Sequence, residues 1–272
     1  MLPSKLFLDK ETSFWACVRW IGNELGYAKR KEIVVPSIDE IKKCISDISE
    51  LNGSAEQISM CDEVQKYLIF RKDLLNNKIQ YLLQDAEEAE KMFEHCKLIA
   101  GNVNCPLPYN KQKGEKKKPA FLTCSINLLM SSILGEKNID YDPRDLTLIT
   151  GKHFPLEVFS RRYDGAYPKT VNPNCIWEIK EYYYTTTFGS RVADGVYETQ
   201  LDGYELRNYR QKNNREIYHF LAIDSHFTWW VCGKSYLCRL IDMLHMGLVN
   251  EILFGKEIIT RIPEIAKNLY KL

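Results

Sequence analysis

The spacing of apolar residues changes along this chain, and that change constrains the fold more than any other feature. Four short runs (DLTLIT, LEVFSRRYDGAY, NCIWEIKEYYY and EIYHFLAIDS) are rich in β-branched and aromatic residues and parted by turn-forming residues. Such runs predict β-strands. Elsewhere apolar residues recur at three- and four-residue spacing. In TSFWACVRWIGNELGY, Phe14, Trp15, Val18, Ile21 and Leu25 share a helical face, with Thr12 or Ser13 as N-cap. Ile38, Ile41, Ile45 and Ile48 repeat the pattern, and Ser37 with Glu40 forms a capping box. The long charged segment from Asp62 to Ala100 reads as one extended helix or two. AFLTCSINLLMSSIL (120–134) predicts a buried helix. Residues 190–211 predict another, with a loose stripe of Val192, Val196, Leu201, Tyr204 and Tyr209. The order is helix, strand, strand, strand, helix, strand, closed by helices in LCRLIDMLHMGLVNEILFG and ITRIPEIAKNLYKL. It predicts an α/β or α+β fold with a mixed central sheet.

A chain of 272 residues is one large domain or two modest ones. The pattern divides it into a helical region (1–100), a linker or basic loop (101–119), and a mixed domain with C-terminal helices (120–272). The loop holds KQKGEKKK, read either as a solvated connection or as a phosphate-contacting arm. With a net charge of +1, any basic surface must be local. Nine scattered cysteines without a CxxC pair predict reduced, mostly buried thiols. The N-terminus lacks a basic stretch leading into an apolar core, and charges interrupt the most apolar C-terminal stretch. A cytoplasmic protein with no membrane partner is expected. There is no GxxxxGK[ST] loop and no GxSxG elbow, which argues against P-loop nucleotide chemistry and a serine hydrolase.

NPNCIWEIKEYYY (172–184) carries the chemistry. By alternation Cys175, Trp177 and Ile179 share one face, and Ile176, Glu178 and Lys180 the other. Glu181 falls on the packing face, with no role evident from sequence. Upstream, Asp164 precedes a glycine, an ordinary turn signal. A hairpin can bring Asp164 beside Glu178. Two adjacent carboxylates repel, and a divalent cation between them relieves the repulsion. A neighbouring lysine can orient or deprotonate a water and stabilise charge on a phosphate.

The spacing D-x13-E-x-K (Asp164, Glu178, Lys180), set on consecutive strands and followed by a helix and another strand, resembles the PD-(D/E)XK nuclease superfamily. The resemblance covers roughly residues 119–231. It implies a restriction-endonuclease-like mixed sheet flanked by helices. It also implies Mg²⁺ bound by Asp164, Glu178 and the Ile179 carbonyl, with Lys180 beside the attacking water. The implied activity is site-specific cleavage of double-stranded DNA to 5′-phosphates by a homodimeric type II restriction endonuclease, with no nucleotide cofactor. The N-terminal helices would then serve recognition or dimer contacts. A repair, phage-defence or exonuclease role is the alternative, and a non-catalytic helical nucleic-acid-binding or interaction protein is a further one. Tyr163 stands where the family often has Pro, and residues 120–134 lack the family's acidic residue, for which Glu157 is the nearest candidate. Gln200 and Tyr204 resemble the Q-x3-Y signature of the exonuclease-like branch. Arg161, Arg162, Lys169 and Arg191 are candidates for the DNA backbone. TTTFGSR could hold a phosphate or simply cap the next helix, and Arg207, Arg210, Lys212 and Arg215 make a basic stretch at that helix's end.

Overall fold

The structure, a computed structural model, describes residues 1–47, 55–110, 118–135, 138–184 and 189–271. Ile48, residues 111–117 of the lysine run and residues 185–188 of TTTFGSR lie outside them. The N-terminal periodicity produces α1 (Lys5–Leu8), α2 (Thr12–Glu24), a small hairpin of β1 (Ala28–Lys29) and β2 (Glu32–Ile33), α3 (Ile38–Ser46) and α4 (Ala55–Leu74). Ser37 and Glu40 form the expected capping box. Thr12 opens α2 as its first helical residue rather than as its cap, and Glu11 before it makes no side-chain cap. Phe14, Trp15, Val18 and Ile21 pack on Ile41, Ile45, Val64 and Tyr67.

Past α4 the helix widens into a π-turn at Leu75–Ile79 and ends in α5 (Gln80–Leu82). Asp85 and Glu88 then cap α6 (Ala86–Ala100) with a second capping box, so the long charged segment is two helical bodies. After α7 (Phe121–Leu134), buried as expected, come β3 (Asp140–Tyr141), β4 (Leu148–Thr150), β5 (Pro155–Val158), β6 (Gly165–Tyr167) and β7 (Cys175–Glu181). The chain continues through α8 (Ser190–Asn213), β8 (Tyr218–Asp224), α9 (Lys234–His245), β9 (Glu251–Phe254) and α10 (Ile258–Tyr270).

Five strands form one mixed sheet in the order β3-β6-β7-β8-β9. The first three pair antiparallel and the last three parallel. Parallel pairing of β7 with β8 requires a crossover, and α8 supplies it. Cys175, Trp177, Phe220 and Leu253 face α6, α7 and α10. Leu221, Ile223 and Ile252 face α8 and α9. The fold is α+β, a mixed sheet between helical layers. Six of the nine cysteines are buried. Among the described residues, no helix is long and apolar enough to cross a membrane.

Three expectations are corrected. DLTLIT and the start of LEVFSRRYDGAY form a separate two-stranded hairpin, β4–β5, and only Gly165–Tyr167 enters the main sheet. The run breaks because the intervening loop turns Phe159 and Tyr163 into a cluster with Ile149, Ile176 and Tyr209. NEILFG is strand β9 rather than helix. Gly247, at φ 68°, turns the chain after α9. All four β9 residues are buried, and a strand covered on both faces reads as a continuous apolar run with no period to mark it. On α8, Leu201 and Tyr204 are exposed, whereas Thr199, Asp202 and Leu206 are buried.

One buried ion pair ties the N-terminal helices to this layer. Arg71 of α4 donates to both Asp242 oxygens of α9, at 2.8 and 2.9 Å, and the Tyr67 hydroxyl donates at 2.6 Å. Removing one partner strands the other charge in a dry interior. Asp242→Ala is expected to lower the free energy of unfolding by about 3–5 kcal/mol, with Asp242→Asn less damaging. Urea denaturation checks this, and an Asp242→Ala protein with an unchanged midpoint would contradict it.

Candidate active site

Trp177 explains the glycine after Asp164. Gly165 lies opposite Trp177 in the β6–β7 register, and a Cβ there would overlap the indole. It is therefore a strand residue selected for lack of volume, rather than the turn glycine expected. The strand holds Asp164 at the mouth of the sheet. Its N–H donates to the Trp177 carbonyl at 3.0 Å, and its Oδ2 accepts from the Ile179 N–H at 2.7 Å. In an extended strand the C=O of a residue points to the same side as its N–H, so the Ile179 carbonyl also faces Asp164. Burial first, then the Glu178 charge, pushes the Asp164 pKa up to about 6.

Glu178 lies on the α8 side of β7 and is only 2% exposed. Two cations meet it. Arg161 Nη1 is 3.0 Å from Oε1, and Lys180 Nζ is 2.9 Å from Oε2. Even so, Oε1 receives no well-directed hydrogen bond. Two further carboxylates reach in from α8. Glu198 Oε2 lies 2.8 Å from Lys180 Nζ and 3.2 Å from Arg161 Nη2, and Asp202 Oδ2 lies 2.9 Å from Arg161 Nη1. The Lys180 stem lies against Gly195 of the same helix.

Charge sets the state of each group. Burial alone would lower the Lys180 pKa, but Glu178, Asp164 and Glu198 outweigh it and hold the side chain as an ammonium. Glu198 stays ionised because Lys180 and Arg161 overcome its burial. Asp202 is pushed up to about 7 by burial, against the pull of Arg161.

Glu181, unexplained in sequence, closes the other side. Its carboxylate accepts from the Leu122 N–H at 2.9 Å and the Thr123 hydroxyl at 2.8 Å, which caps the start of α7. Asp164, Ile179, Glu181, Asp142 and Arg191 line a cleft of ≈ 300 Å³ between β7 and α7.

Of the residues the spacing singled out, Glu178 and Lys180 are ion-paired, and Asp164 accepts from the Ile179 N–H between them. Arg161 joins them, but its guanidinium is engaged by three carboxylates rather than left for a phosphate. Arg191 borders the cleft, while Arg162 and Lys169 are exposed. Glu157 sits on the separate β4–β5 hairpin. Gln200 lines a hollow with Arg19 and Tyr197, and the Tyr204 hydroxyl accepts from Arg19, so neither reaches the cluster. Sequence reasoning missed Glu198 and Asp202. Their signal was a polar residue at buried helical spacing, since Val192, Val196, Thr199, Gly203 and Leu206 mark the true inner stripe of α8.

A divalent cation suits these donors. The set is hard oxygen (two carboxylates and a main-chain carbonyl), one acid has its pKa raised by burial and then by its neighbour's charge, and one buried carboxylate oxygen has an ion-pair partner but no well-directed hydrogen bond. Among the described residues no group of three His, Cys, Asp or Glu side chains is placed to hold a metal by side chains alone, so the carbonyl is part of this candidate set.

Gly165→Ala should displace Trp177 or Asp164. We expect about 1–3 kcal/mol of destabilisation by thermal or urea unfolding. Wild-type stability in that variant would contradict the packing described.

Residues 84–269 match the family described as Domain of unknown function (DUF7687), and residues 1–78 match the one described as Domain of unknown function (DUF7690). The junction falls where α5 ends and α6 is capped. No curated protein and no solved structure matches the chain. With the larger match spanning well over half its length, the chain belongs to the DUF7687 family.

Proposed function

We propose that this protein is a Mg²⁺-dependent, site-specific DNA endonuclease with a restriction-endonuclease-like fold, acting in the cytoplasm as a homodimer. One observation carries the reading. Asp164 precedes β6 and Glu178 lies on the neighbouring β7, one position beyond the Gly165–Trp177 pair, and the Glu178 charge acts on Asp164, with Lys180 ion-paired to Glu178 and to Glu198 of the crossover helix α8. Asp164, Glu178 and the Ile179 carbonyl would hold the cation, which when bound would supply Lewis acidity toward the phosphate and toward a water.

The protein's own groups do the rest. Lys180, held as an ammonium, orients the attacking water and offsets charge growing on the phosphate oxygens. The water oxygen bonds to phosphorus, the bond to O3′ breaks, and O3′ leaves with a proton, so the new end carries a 5′-phosphate. Glu198 keeps Lys180 in place, and Asp202 keeps Arg161 against Glu178. Arg191 at the cleft mouth is the phosphate contact. Gln200 and Tyr204, which would favour an exonuclease, stand away from the cluster, so the endonuclease reading is preferred.

Plasmid DNA incubated with Mg²⁺ should give discrete fragments, and EDTA should stop the reaction. Asp164→Asn or Lys180→Ala should slow cleavage by roughly 10²–10³-fold with the fold intact. Progressive degradation would overturn the endonuclease reading, and no cutting in any divalent metal would overturn the nuclease reading itself.

The pH profile follows from Asp164. A proton on this carboxylate competes with the cation. Because its pKa is raised to about 6, cleavage at limiting Mg²⁺ should fall as pH drops below about 6 and level off above 7. A profile flat down to pH 4.5 would contradict that role.

A further inference from the structure

Cations of α2, α8 and α9 gather along the outer face of α8, and among the described residues three of them have no ion-paired carboxylate. Two hollows of ≈ 190 and ≈ 370 Å³ adjoin along α2, α8 and α9 and share Arg19 in their walls. Arg239 lines the first, and Lys10, Arg207 and Arg210 line the second. Two of these cations are paired, Lys10 with Glu63 and Arg210 with Glu216. Among the described residues Arg19, Arg207 and Arg239 have no carboxylate within ion-pair distance. Asp242 borders the first hollow but is already taken by Arg71 and Tyr67.

Tyrosines hold these arginines without neutralising them. Arg19 donates to the Tyr204 hydroxyl and Arg239 to the Tyr197 hydroxyl, each at 3.3 Å. The Arg207 guanidinium lies over the Tyr204 ring at 5.6 Å. Burial pulls the Arg207 pKa below its ordinary value, with Tyr204 opposing the shift and the charges of Arg210 and Arg19 adding to it. In a protein of net charge +1 this is a local feature rather than a generally basic surface.

Geometry narrows the ligand. Tyr197, Gln200, Tyr204, Arg207 and Gln211 recur at three- and four-residue spacing and line the two hollows. At 1.5 Å per residue this stripe is about 21 Å long, near the axial rise of about six phosphate-to-phosphate steps on one strand of a duplex. Arginines held in line by aromatic rings suit a chain of regularly spaced phosphates better than one compact anion.

We propose that this groove binds the phosphodiester backbone of a nucleic acid, on the side of α8 turned away from Glu198 and Asp202. The inference does not rest on the nuclease reading, because the groove shares no residue with the Asp164 cleft.

The test is fluorescence anisotropy with a labelled duplex oligonucleotide in EDTA over a range of salt concentrations. For the Arg19→Gln/Arg207→Gln/Arg239→Gln variant we expect binding at least about tenfold weaker, and a plot of log K against log salt shallower by nearly three. The triple Arg→Lys variant keeps the charges and should keep most of the slope. Arg207 also donates to the Met246 carbonyl, so Arg19→Gln/Arg239→Gln serves as a second variant, with an expected slope change near two. Wild-type affinity and slope in a folded Gln variant would overturn the proposal. So would equally tight, groove-dependent binding of polyglutamate. Groove-dependent DNA binding by a protein that cuts in no metal would sink the nuclease reading alone. Metal-dependent cutting by a protein whose Gln variants bind unchanged would sink the groove alone.

Discussion

A carboxylate buried between a sheet and a helix is the constraint on which the rest depends. Glu178 is almost wholly removed from water, and an isolated charge there would be prohibitively costly. Arg161 and Lys180 meet it, and each needs a further anion, which α8 provides through Glu198 and Asp202. Lys180 follows from strand alternation, Arg161 from the loop before β6, and the two acids from the crossover that parallel pairing requires. The cluster is thus a product of the topology.

The same topology leaves one charge unresolved. Asp164 precedes β6, yet among the described residues no cation lies within ion-pair distance of it, as Lys180 and Arg161 do of Glu178. Among the described residues its carboxylate accepts a hydrogen bond from the Ile179 N–H. Burial first, and then the Glu178 charge, raises its pKa. Gly165 makes the arrangement possible by what it lacks, since a Cβ there would overlap the Trp177 ring. Glu181 shows how near the alternative lies. A carboxylate three residues along the same strand is satisfied by the start of α7 and serves the fold.

Much of this was legible in the chain. Alternation on residues 175–181 gave the faces of β7, and D-x13-E-x-K gave the cluster's core, because strand period and hairpin pairing are local rules. Glu198 and Asp202 were hidden because which side of α8 faces the sheet depends on tertiary packing. A stripe through Leu201 and Tyr204 looked plausible, yet both are exposed. Strand β9 was hidden for a different reason, since burial on both faces erases the alternation that marks a strand. Glu181 was opaque because its partners lie some 60 residues upstream, at a helix start that sequence does not bring near.

The central claim is that Asp164 and Glu178 form the carboxylate pair of a cation site. Calorimetric titration of the metal-free protein with Mn²⁺ tests it most directly, without assuming a substrate. One saturable binding event, lost in both Asp164→Asn and Glu178→Gln, is the predicted result. Binding that survives both substitutions, or no binding to the wild-type protein, would contradict it.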